Sequence, residues 1–402
     1  MAMLTVAEAL ARILADVAPT GAEEVGLVEA DGRVLACGHA ARLTQPPFHA
    51  SAMDGYAVRA ADVAQLPARL RVVGEAAAGH PFAGSIAAGE AVRIFTGAPL
   101  PAGTDAIVIQ ENTAREDDAV TVREGAVDPE HVRPRGGDFS AGAELLRTGH
   151  VLTPRDLTLA AAMGHARLSV RRRPVVAILA TGDELVEPGV APGDGQIVSS
   201  NPYGLAAMAC RFGAEPRLLG IAKDTRADLA RCIAAAAGAD VLVTVGGASV
   251  GDHDLVAPVL QEHGMALDFW KIAMRPGKPL MFGRLGVQRV IGVPGNPVSA
   301  LICMRVFVVP LIARLLGRAV GPERLGKAAL ARAISANGPR QHYMRATLVG
   351  GDAGGAPLVD PVPSQDSSLM SPLARADCLI VRAAGAPAAA AGDAVDILPM
   401  DF

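Results

Sequence analysis

Short unbroken apolar runs alternate with helical patterns through the middle of the chain, from about residue 171 to residue 317. Runs such as VLVTV lack a polar side, which is typical of a parallel strand buried on both faces. The predicted strands lie in PVVAILATGDEL, GIAKD, VLVTVGG, LMFGRL and RVIGVPG, and the predicted helices span residues 203–212, 225–237, 255–263 and 298–316. Thr225 is the predicted N-cap of the second helix, with Asp228 completing a capping box. This alternation predicts a parallel sheet covered by helices on both faces.

The pattern changes on either side of this region. Residues 41–135 hold the short β-like runs RLRVVGEAA, AVRIFTGA and DAIVIQENT between Gly/Pro-rich turns, which predicts a separate β-rich domain. Beyond residue 321, the runs AALARAIS, YMRATLVGG, CLIVRAA and AVDILPM predict a small β-barrel or sandwich. An amphipathic helix is predicted in MAMLTVAEALARILADVAP, which has no signal-peptide pattern, and another over residues 154–163. The low-complexity run GAPAAAAG, residues 385–392, predicts a surface loop.

Composition and charge narrow the class of protein. The apolar segment 298–316 is interrupted by Arg305, Pro310 and Arg314, so we expect a buried or subunit-contacting helix and no membrane span. A net charge of −4 and an aromatic content of 3% give neither the basic surface nor the stacking platforms for nucleic acid, so no such partner is expected. The aliphatic composition predicts a core of small side chains. The five cysteines form no CxxC pair, which favours reduced thiols in the cytoplasm over a zinc site or a disulfide framework.

The segment VLVTVGGASVGDHD, residues 241–254, is a candidate binding loop. Its strand stops at Gly246 and Gly247, where the missing side chains let backbone N–H groups approach a ligand. These donors favour an anion, whereas Asp252 and Asp254 favour a cation, so the loop indicates a phosphate bound with a divalent metal. An ordinary strand-to-helix turn is the alternative, because glycine-rich turns are common.

Other predicted strands end in similar polar loops. TGDE, Asp224 and PGNP follow the strands that contain VAILA, GIAK and VIGV. Ligands of open parallel sheets bind beyond the carboxyl ends of the strands, so we expect these loops to line one crevice for a phosphorylated ligand. Lys271, Arg275 and Lys278 add cations that reach the same edge, with ordinary solvated charge as the alternative for each.

Seven motifs carry a resemblance to a known family. They are SAMDGYAVRAAD (51–62), RIFTGAPLPAGTDAIVIQE (93–111), RGGDFSAGAELL (135–146), ILATGDELVEPG (178–189), GGASVGDHD (246–254), RPGKP (275–279) and GVPGNPVSA (292–300). In these motifs and their order the chain resembles the molybdopterin molybdotransferases, the MoeA-type molybdenum insertases whose eukaryotic counterpart is the E domain of gephyrin. The resemblance runs from about Thr5 to the C-terminus.

The resemblance implies an activity and its partners. The family inserts molybdate into adenylylated molybdopterin, cleaving the pyrophosphate link with Mg²⁺ and releasing molybdenum cofactor and AMP. Mg²⁺ is thus the implied cofactor, and molybdate and adenylylated molybdopterin are the implied substrates. The family also implies a homodimer, with a molybdopterin adenylyltransferase and acceptor molybdoenzymes as further partners.

A multidomain α/β plus β fold with an elongated subunit is implied as well. Residues 1–41 and 139–170 would form an elongated N-terminal or linker domain, with the first helix free to pack elsewhere. Residues 42–138 would form the inserted β-rich domain. The molybdopterin-binding α/β sheet domain would span residues 171–320, and the C-terminal β-barrel domain residues 321–402.

Family positions transfer to this sequence motif by motif. The implied catalytic residues are Asp54, Thr96, Asp138 and Glu184. The implied substrate-binding residues are Gly246, Gly247, Ser249, Asp224, Lys271, Arg275, Lys278, Pro294, Asn296, Arg345 and Ser367. The implied metal ligands are Asp254, Glu184 and Asp54. The dithiolene sulfurs that hold molybdenum belong to the pterin, so no protein cysteine is required.

Two departures and two rival functions accompany the resemblance. Arg275 stands where a lysine is expected in bacterial relatives, and His49-Ala50 replaces an Asp-Asn pair. His253 beside Asp254 is either a base or an ordinary loop residue. A gephyrin-like assembly protein without catalysis is one rival, opposed by the retained charged positions. The preceding adenylyltransferase is the other, opposed by the additional β-rich domains.

Overall fold

The computed structural model of the protein describes residues 3–125, 127–247, 255–321, 323, 325–350 and 357–402. The chain divides into two compact units. The inserted unit is Glu24–Val170, and the discontinuous unit is Met1–Glu23 with Arg171–Phe402. The domain limits given above are finer than this division and stay predictions.

Threonine side chains cap the start of some of the helices. The α-helices of the described residues are α1 (Val6–Leu14), α2 (Pro154–Ala162), α3 (Asn201–Arg211), α4 (Arg226–Ala235), α5 (Val256–Glu262), α6 (Pro297–Cys303), α7 (Val309–Leu315) and α8 (Met370–Ala374). A full capping box starts α1, because Thr5 and Glu8 each accept the other's backbone N–H. At α4 the Thr225 hydroxyl accepts the N–H of Asp228 at 3.3 Å, as predicted. The Asp228 carboxylate accepts from the N–H of Lys223 at 2.8 Å, so the predicted box is only half formed.

A continuous apolar helix runs from Pro297 to Leu315 and has a π-helical segment, Met304–Val308, between α6 and α7. Pro310 cannot donate to the carbonyl of residue 306, and the wider π turn lies at this point. The helix is long and apolar enough to cross a membrane, yet 83% of its most apolar window is buried inside the protein. Arg305 is buried with its guanidinium on the carboxylates of Glu323 and Asp401. The prediction of a buried helix is therefore confirmed.

The inserted unit is rich in short strands. The first strands of the chain are β1 (Ala22–Gly26), β2 (His39–Ala40), β3 (Ala50–Ser51), β4 (Gly55–Val58), β5 (Ala68–Ala76), β6 (Glu90–Ile94), β7 (Ala106–Ile109), β8 (Thr113–Glu116), β9 (Ala119–Val122), β10 (Val132–Arg133), β11 (Glu144–Leu146) and β12 (Arg167–Arg171). One sheet has the order β7-β4-β6-β5-β9-β8. Within the described residues 41–125 and 127–135, the helical segments of the inserted unit are short 3-10 turns. The prediction of a β-rich domain in this region is therefore confirmed.

The discontinuous unit contains the predicted α/β sheet. The remaining strands are β13 (Val175–Thr181), β14 (Leu185–Val186), β15 (Ile197–Val198), β16 (Glu215–Ala222), β17 (Val241–Val245), β18 (Ala266–Lys271), β19 (Met274–Arg275), β20 (Pro279–Leu285), β21 (Gln288–Val293), β22 (Gly326–Leu330), β23 (Gln341–Leu348), β24 (Leu358–Pro361), β25 (Cys378–Arg382) and β26 (Ala394–Pro399). The central sheet has the order β16-β13-β17-β21-β20-β18. Its first four strands are parallel, whereas β20 is antiparallel to both of its neighbours. Small aliphatic side chains, with Cys232 and Met265, form the core beneath α4 and α5.

The C-terminal strands close on themselves. The sheet order is β19-β23-β24-β22-β26-β25, and a further pairing of β23 with β25 joins the ends into a barrel to which β19 is attached. This closure decides between the barrel and the sandwich that the strand pattern had left open. Residues 385–392 form the predicted, largely exposed loop.

Candidate active site

The carboxyl ends of the parallel strands meet at one edge of the central sheet. The loops after β16, β13, β17 and β21 therefore lie side by side, as the sequence predicted. The antiparallel direction of β20 brings its first residues to the same edge, and Lys271, the last residue of β18, pairs there with Pro279. Lys278 precedes Pro279, so both lysines stand at this carboxyl edge.

A cavity of about 630 Å³ opens at the carboxyl edge. Of the predicted site residues, its lining includes Glu184, Gly246, Gly247, Pro294 and Asn296. The remaining lining residues are Ala180, Thr181, Leu185, Ile197, Val198, Ser199, Ser200, Asn201, Val245, Pro279, Gly295, Pro297, Ser368 and Met370. The lining thus combines apolar and small residues with a few polar ones, which is typical of a small-molecule site.

The two glycines after β17 allow the cavity to form. Gly246 and Gly247 have φ values of +91° and +59°, which side chains disfavour. A Cβ on Gly246 would lie 2.8 Å from the carbonyl oxygen of Thr181, at the end of the neighbouring strand. The close approach of the two strand ends is therefore the physical reason for glycine at position 246. The other residues chosen from it, Ser249 and Asp254, lie outside the described residues, as does His253.

Carboxylates cluster at the ends of β13 and β16. Glu184 is exposed in the turn after β13 and lines the cavity. Its neighbour Asp183 accepts the N–H of Asp224 at 3.3 Å, which ties the two strand ends together. Asp224 is exposed beside this cavity, and its side chain is not part of the lining. Sequence reasoning missed Asp183, although it stands inside the TGDE loop.

The opposite wall is a hydrogen-bonded network around Asn296. The Asn296 amide donates to the Ser367 hydroxyl at 3.0 Å, and the Ser367 carbonyl accepts the N–H of Val298 at 3.1 Å. Asn201, which sequence reasoning also missed, donates to the Gly295 carbonyl at 2.7 Å. Its position at the start of α3, in SSNPY, is the signal that was available. Asn296 and Ser367, which were predicted separately as substrate-binding residues, are therefore brought together beside the cavity.

Arg345 supports this wall from behind. Its side chain is 1% exposed, and its guanidinium donates to the backbone carbonyls of Leu369 at 2.9 Å, Ser364 at 3.0 Å and Asp366 at 2.8 Å. These bonds fix the loop that carries Ser367. The geometry favours a positioning role for Arg345, and the direct substrate contact implied by the resemblance stays a prediction.

Exposed cations stand along the carboxyl edge. Lys271, Arg275 and Lys278 are all exposed, and none has an ion pair among the residues that the structure describes. Arg275 lies in β19, whose partner strand β23 sets it opposite His342. Unpaired surface cations beside a cavity lined by N–H groups favour an anionic ligand.

In the inserted unit, Asp54 and Thr96 form one hydrogen-bonded pair. The backbone N–H and the hydroxyl of Thr96 both donate to the Asp54 carboxylate at 2.8 Å. These two bonds, the N–H first, hold the pKa of Asp54 below its usual value. Arg93 lies close by, with its guanidinium 5.2 Å from the Tyr56 ring centroid and 2.6 Å from the Gln110 amide oxygen. Asp54 is thus an ionised, oriented carboxylate at neutral pH.

Asp138 occupies a different turn of the inserted unit. It is exposed, and its backbone N–H donates to the carbonyl of Gln45 at 3.1 Å. His49, one of the two departures from the family pattern, accepts the N–H of Arg135 at 3.3 Å and so steadies the same RGGD segment. The turn chemistry of Asp138 is shown by these contacts, whereas its catalytic role stays a prediction.

No preformed metal cluster appears in the described part of either unit. Within residues 3–125, 127–247, 255–321, 323, 325–350 and 357–402, no group of three or more His, Cys, Asp or Glu side chains is placed to hold a metal ion. The five cysteines are all free thiols, three of them buried. Neither a disulfide nor a preformed zinc site is found among the described residues.

Three domain families match successive parts of the chain. The MoeA N-terminal region (domain I and II) matches residues 4–164, the probable molybdopterin binding domain residues 177–314, and the MoeA C-terminal region (domain IV) residues 327–400. Two crystal structures of the molybdopterin biosynthesis MoeA protein from Pyrococcus horikoshii match with TM-scores of 0.87 and 0.81, at 30% and 27% identity. The first covers 100% of both chains, the second 98% of this chain and 99% of the other.

Curated relatives agree with these matches. The molybdopterin molybdenumtransferase of Haemophilus influenzae is 37% identical over 99% of this chain and 99% of its own length. Its namesake from Nostoc sp. is 41% identical over 75% of this chain and 71% of that protein. Molybdopterin molybdenumtransferase 2 of Mycobacterium tuberculosis is 38% identical over 81% of this chain and 82% of that protein. The resemblance inferred from the motifs is confirmed, together with the transferase class: the chain belongs to the MoeA family of molybdopterin molybdenumtransferases.

Proposed function

We propose that this chain inserts molybdate into adenylylated molybdopterin, with Mg²⁺-dependent cleavage of the pyrophosphate link and release of molybdenum cofactor and AMP. The observation that carries the proposal is the cavity at the carboxyl edge of the sheet, which combines Gly246 and Gly247 with Glu184 and the neighbouring lysines. A pyrophosphate needs close N–H donors and neutralising cations, and this edge supplies both.

The residues divide the work by their chemistry. Gly246 and Gly247 let the backbone approach phosphate oxygens, and Lys271, Arg275 and Lys278 neutralise the charge that develops when the P–O–P link breaks. A molybdate oxygen takes the place of water and attacks the adenylate phosphorus, so the P–O–P link breaks and the pterin keeps the other phosphate. The pterin dithiolene then loses its two thiol protons and binds molybdenum, the Mo–O bond to the attacking oxygen breaks, and AMP leaves with that oxygen. Glu184 orients molybdate or its proton, and Asn296 with Ser367 holds the far wall in place. Asp54, Thr96 and Asp138 are the further catalytic residues of this proposal.

The described residues fit a magnesium ion that takes most of its ligands from the substrate and from water. Glu184 is an acidic side chain of the cavity lining, and Mg²⁺ characteristically takes one or two carboxylates together with substrate phosphates and water. Glu184, with Asp54 and Asp254 as the other ligands implied by the family, would hold the ion. When bound, Mg²⁺ neutralises the pyrophosphate.

The test supplies adenylylated molybdopterin and Mg²⁺ to the purified protein and measures AMP with and without molybdate. We expect AMP release to depend on molybdate and to match molybdenum cofactor formed one for one. A protein that releases no AMP in the presence of molybdate would refute the insertase proposal. Adenylylation of free molybdopterin by ATP would instead assign the preceding step.

We also propose a cytoplasmic homodimer that meets a molybdopterin adenylyltransferase and acceptor molybdoenzymes. The free thiols are compatible with a reducing compartment. Sedimentation equilibrium of the full chain should give twice the 41.1 kDa chain mass. A monomer mass at micromolar concentration would contradict the dimer.

A further inference from the structure

A second large cavity lies at the opposite, amino-terminal edge of the central sheet. Its volume is about 720 Å³, and none of its lining residues lines the cavity at the carboxyl edge. Its walls are residues 16–20 after α1, residues 237–240 before β17, residues 284–289 between and within β20 and β21, and the side chains of Arg172 and Leu315. The proposed insertase chemistry makes no use of it.

Three arginines line this amino-edge cavity, and only one is neutralised. Arg172 forms a bidentate pair with Asp240, with contacts of 3.0 and 2.8 Å. Arg284 lies 3.6 Å from Asp16, whose side chain is 85% exposed, so that pair is loose and solvated. Arg284 is therefore a cation with a weak partner.

Arg289 is buried without a carboxylate at hydrogen-bond distance. It is 7% exposed, and its Nη2 donates to the carbonyls of Ala15 and Asp16, each at 3.0 Å. Its Nε–H is buried with no hydrogen-bond partner among the described residues. Burial, and then the charge of Arg284, lower the pKa of Arg289, so its positive charge is costly here. The two backbone bonds fix the end of α1 but leave a charge and a donor unsatisfied.

Two carbonyls after helix α4 are already hydrogen-bonded. Helix α4 ends here, and its exposed carbonyl ends would repel a negative group. The Gln288 amide donates to the carbonyls of Ala236 and Ala239, both at 2.9 Å. These two carbonyls therefore add less unbalanced negative charge at this edge.

We propose that the amino-edge cavity binds a phosphate-type oxyanion, with Arg284 and Arg289 as its ligands. Such a group neutralises the two guanidiniums and removes the repulsion between them, and their planar donors match phosphate oxygens. The volume lies in the range of small-molecule sites, so the oxyanion is either free or carried by a phosphate ester. The proposal is independent of the insertase reaction.

The site has a position suited to an effector. Residues 16–20 are the last before the chain leaves the discontinuous unit at Glu23, and Arg172 follows its return at Arg171. A ligand in the amino-edge cavity would therefore contact the chain close to the two points where it leaves and re-enters the discontinuous unit. Binding is expected to protect these segments from proteolysis.

The experiment measures binding of inorganic phosphate, AMP and adenosine by calorimetry at fixed ionic strength. A Lys271→Ala, Lys278→Ala protein serves as the background, so that anion binding at the carboxyl edge is weakened. We expect phosphate and AMP to bind and adenosine not to bind. Arg284→Ala should weaken phosphate binding at least tenfold, whereas the charge-matched Arg155→Ala, an exposed residue of the inserted unit, should leave it unchanged. Tighter binding of AMP than of phosphate supports an ester, and equal binding supports the free oxyanion.

Several outcomes would overturn the proposal. These are no phosphate binding in that background, binding that Arg284→Ala leaves intact, and binding that also requires Arg155. Melting temperature gives a second readout that needs no ligand. If the only role of Arg284 were its ion pair with Asp16, Arg284→Ala would lower the melting temperature in phosphate-free buffer. If Arg284 instead repels Arg289, Arg284→Ala would not lower it. Arg289→Met is the complementary variant, and Arg284→Ala keeps the test decisive if Arg289→Met does not fold.

Discussion

At the residue scale, Glu184 is the side chain on which the proposed chemistry depends most directly. It is exposed at the cavity and makes no side-chain contact that folding requires. We expect Glu184→Gln to lower molybdate-dependent AMP release by on the order of 10²-fold, because the shape is kept and the charge is lost. Assays at saturating substrate measure this.

The matched control for Glu184 is Glu187→Gln, three residues along the same segment. Glu187 accepts the Tyr203 hydroxyl at 2.9 Å and does not line the cavity. It should retain nearly full rate. A Glu184→Gln protein that inserts molybdenum as fast as the Glu187→Gln protein would remove Glu184 from the mechanism.

Thr96 is expected to set the ionisation of Asp54. Thr96→Val removes the hydroxyl bond while leaving the backbone N–H, so the pKa of Asp54 should rise but stay below that of an unfolded Asp. Because the folded pKa is depressed, this bond stabilises the fold above the unfolded pKa, and the contribution disappears as pH falls through the folded pKa. Carbon-detected NMR titration of Asp54 measures the change.

Thr96→Ser is the control for this titration, because it keeps the hydroxyl and removes only a methyl group. Its Asp54 should titrate like that of the wild type. An unchanged Asp54 pKa in Thr96→Val would show that the hydroxyl bond does not contribute in solution.

At the element scale, Arg345 connects the C-terminal barrel to the wall of the cavity. Arg345→Met keeps much of the side-chain volume but removes the hydrogen bonds to the carbonyls of Ser364, Asp366 and Leu369. The expected loss is about 1–3 kcal/mol of unfolding free energy, together with a raised KM as Ser367 loses its fixed position. Urea unfolding and steady-state kinetics measure the two effects.

Arg375→Ala provides the charge-matched comparison for Arg345, since Arg375 is exposed at the end of α8. It should change unfolding free energy and KM little. A direct substrate contact by Arg345 would instead lower activity without a loss of stability, which separates the contact role from the positioning role.

Sequence patterns predicted those elements whose burial is uniform. The fully buried β13 and β17 read as unbroken apolar runs, and the N-cap of α4 was predicted at Thr225. Strand β24, LVDP, has only four residues and includes Asp and Pro, so its pairing in the barrel leaves no local signal. Strand β18, ALDFWK, was missed because it lies at the sheet edge with polar residues among its apolar ones.

The candidate site was predictable in residue type but not in contact. The family resemblance selected Arg345 as a substrate-binding residue, and only the fold shows that its guanidinium is hydrogen-bonded to backbone carbonyls. It likewise selected Asn296 and Ser367 separately, seventy-one positions apart, whereas the barrel brings them to 3.0 Å. Arg284 and Arg289 carried no signal at all, because a buried unpartnered donor has no local sequence pattern.

At the scale of the whole molecule, buried ionisable groups couple stability to pH. His342 in β23 is 6% exposed, and burial lowers its pKa to about 4, helped by the nearby charges of Arg275, Arg340, Arg345 and Arg382. An unfolded histidine titrates near 6.5, so between these values the unfolded chain binds a proton that the folded chain does not. The contribution of the neutral His342 to stability is therefore complete above pH 6.5 and is lost as pH falls towards 4.

The expected size of this loss is about 3 kcal/mol across the window, since one proton contributes roughly 1.4 kcal/mol per pH unit. His342→Gln removes the titrating group and should flatten the pH dependence of urea unfolding between pH 6.5 and 4. Arg275→Gln removes one neighbouring positive charge, so it should raise the pKa of His342. The loss of stability would then still begin near pH 6.5 but would end at a higher pH and be smaller. Equal slopes in the wild type and in His342→Gln would show that other groups govern acid unfolding. A lower pKa of His342 in Arg275→Gln would contradict the electrostatic cause, because removing a cation cannot favour the neutral imidazole.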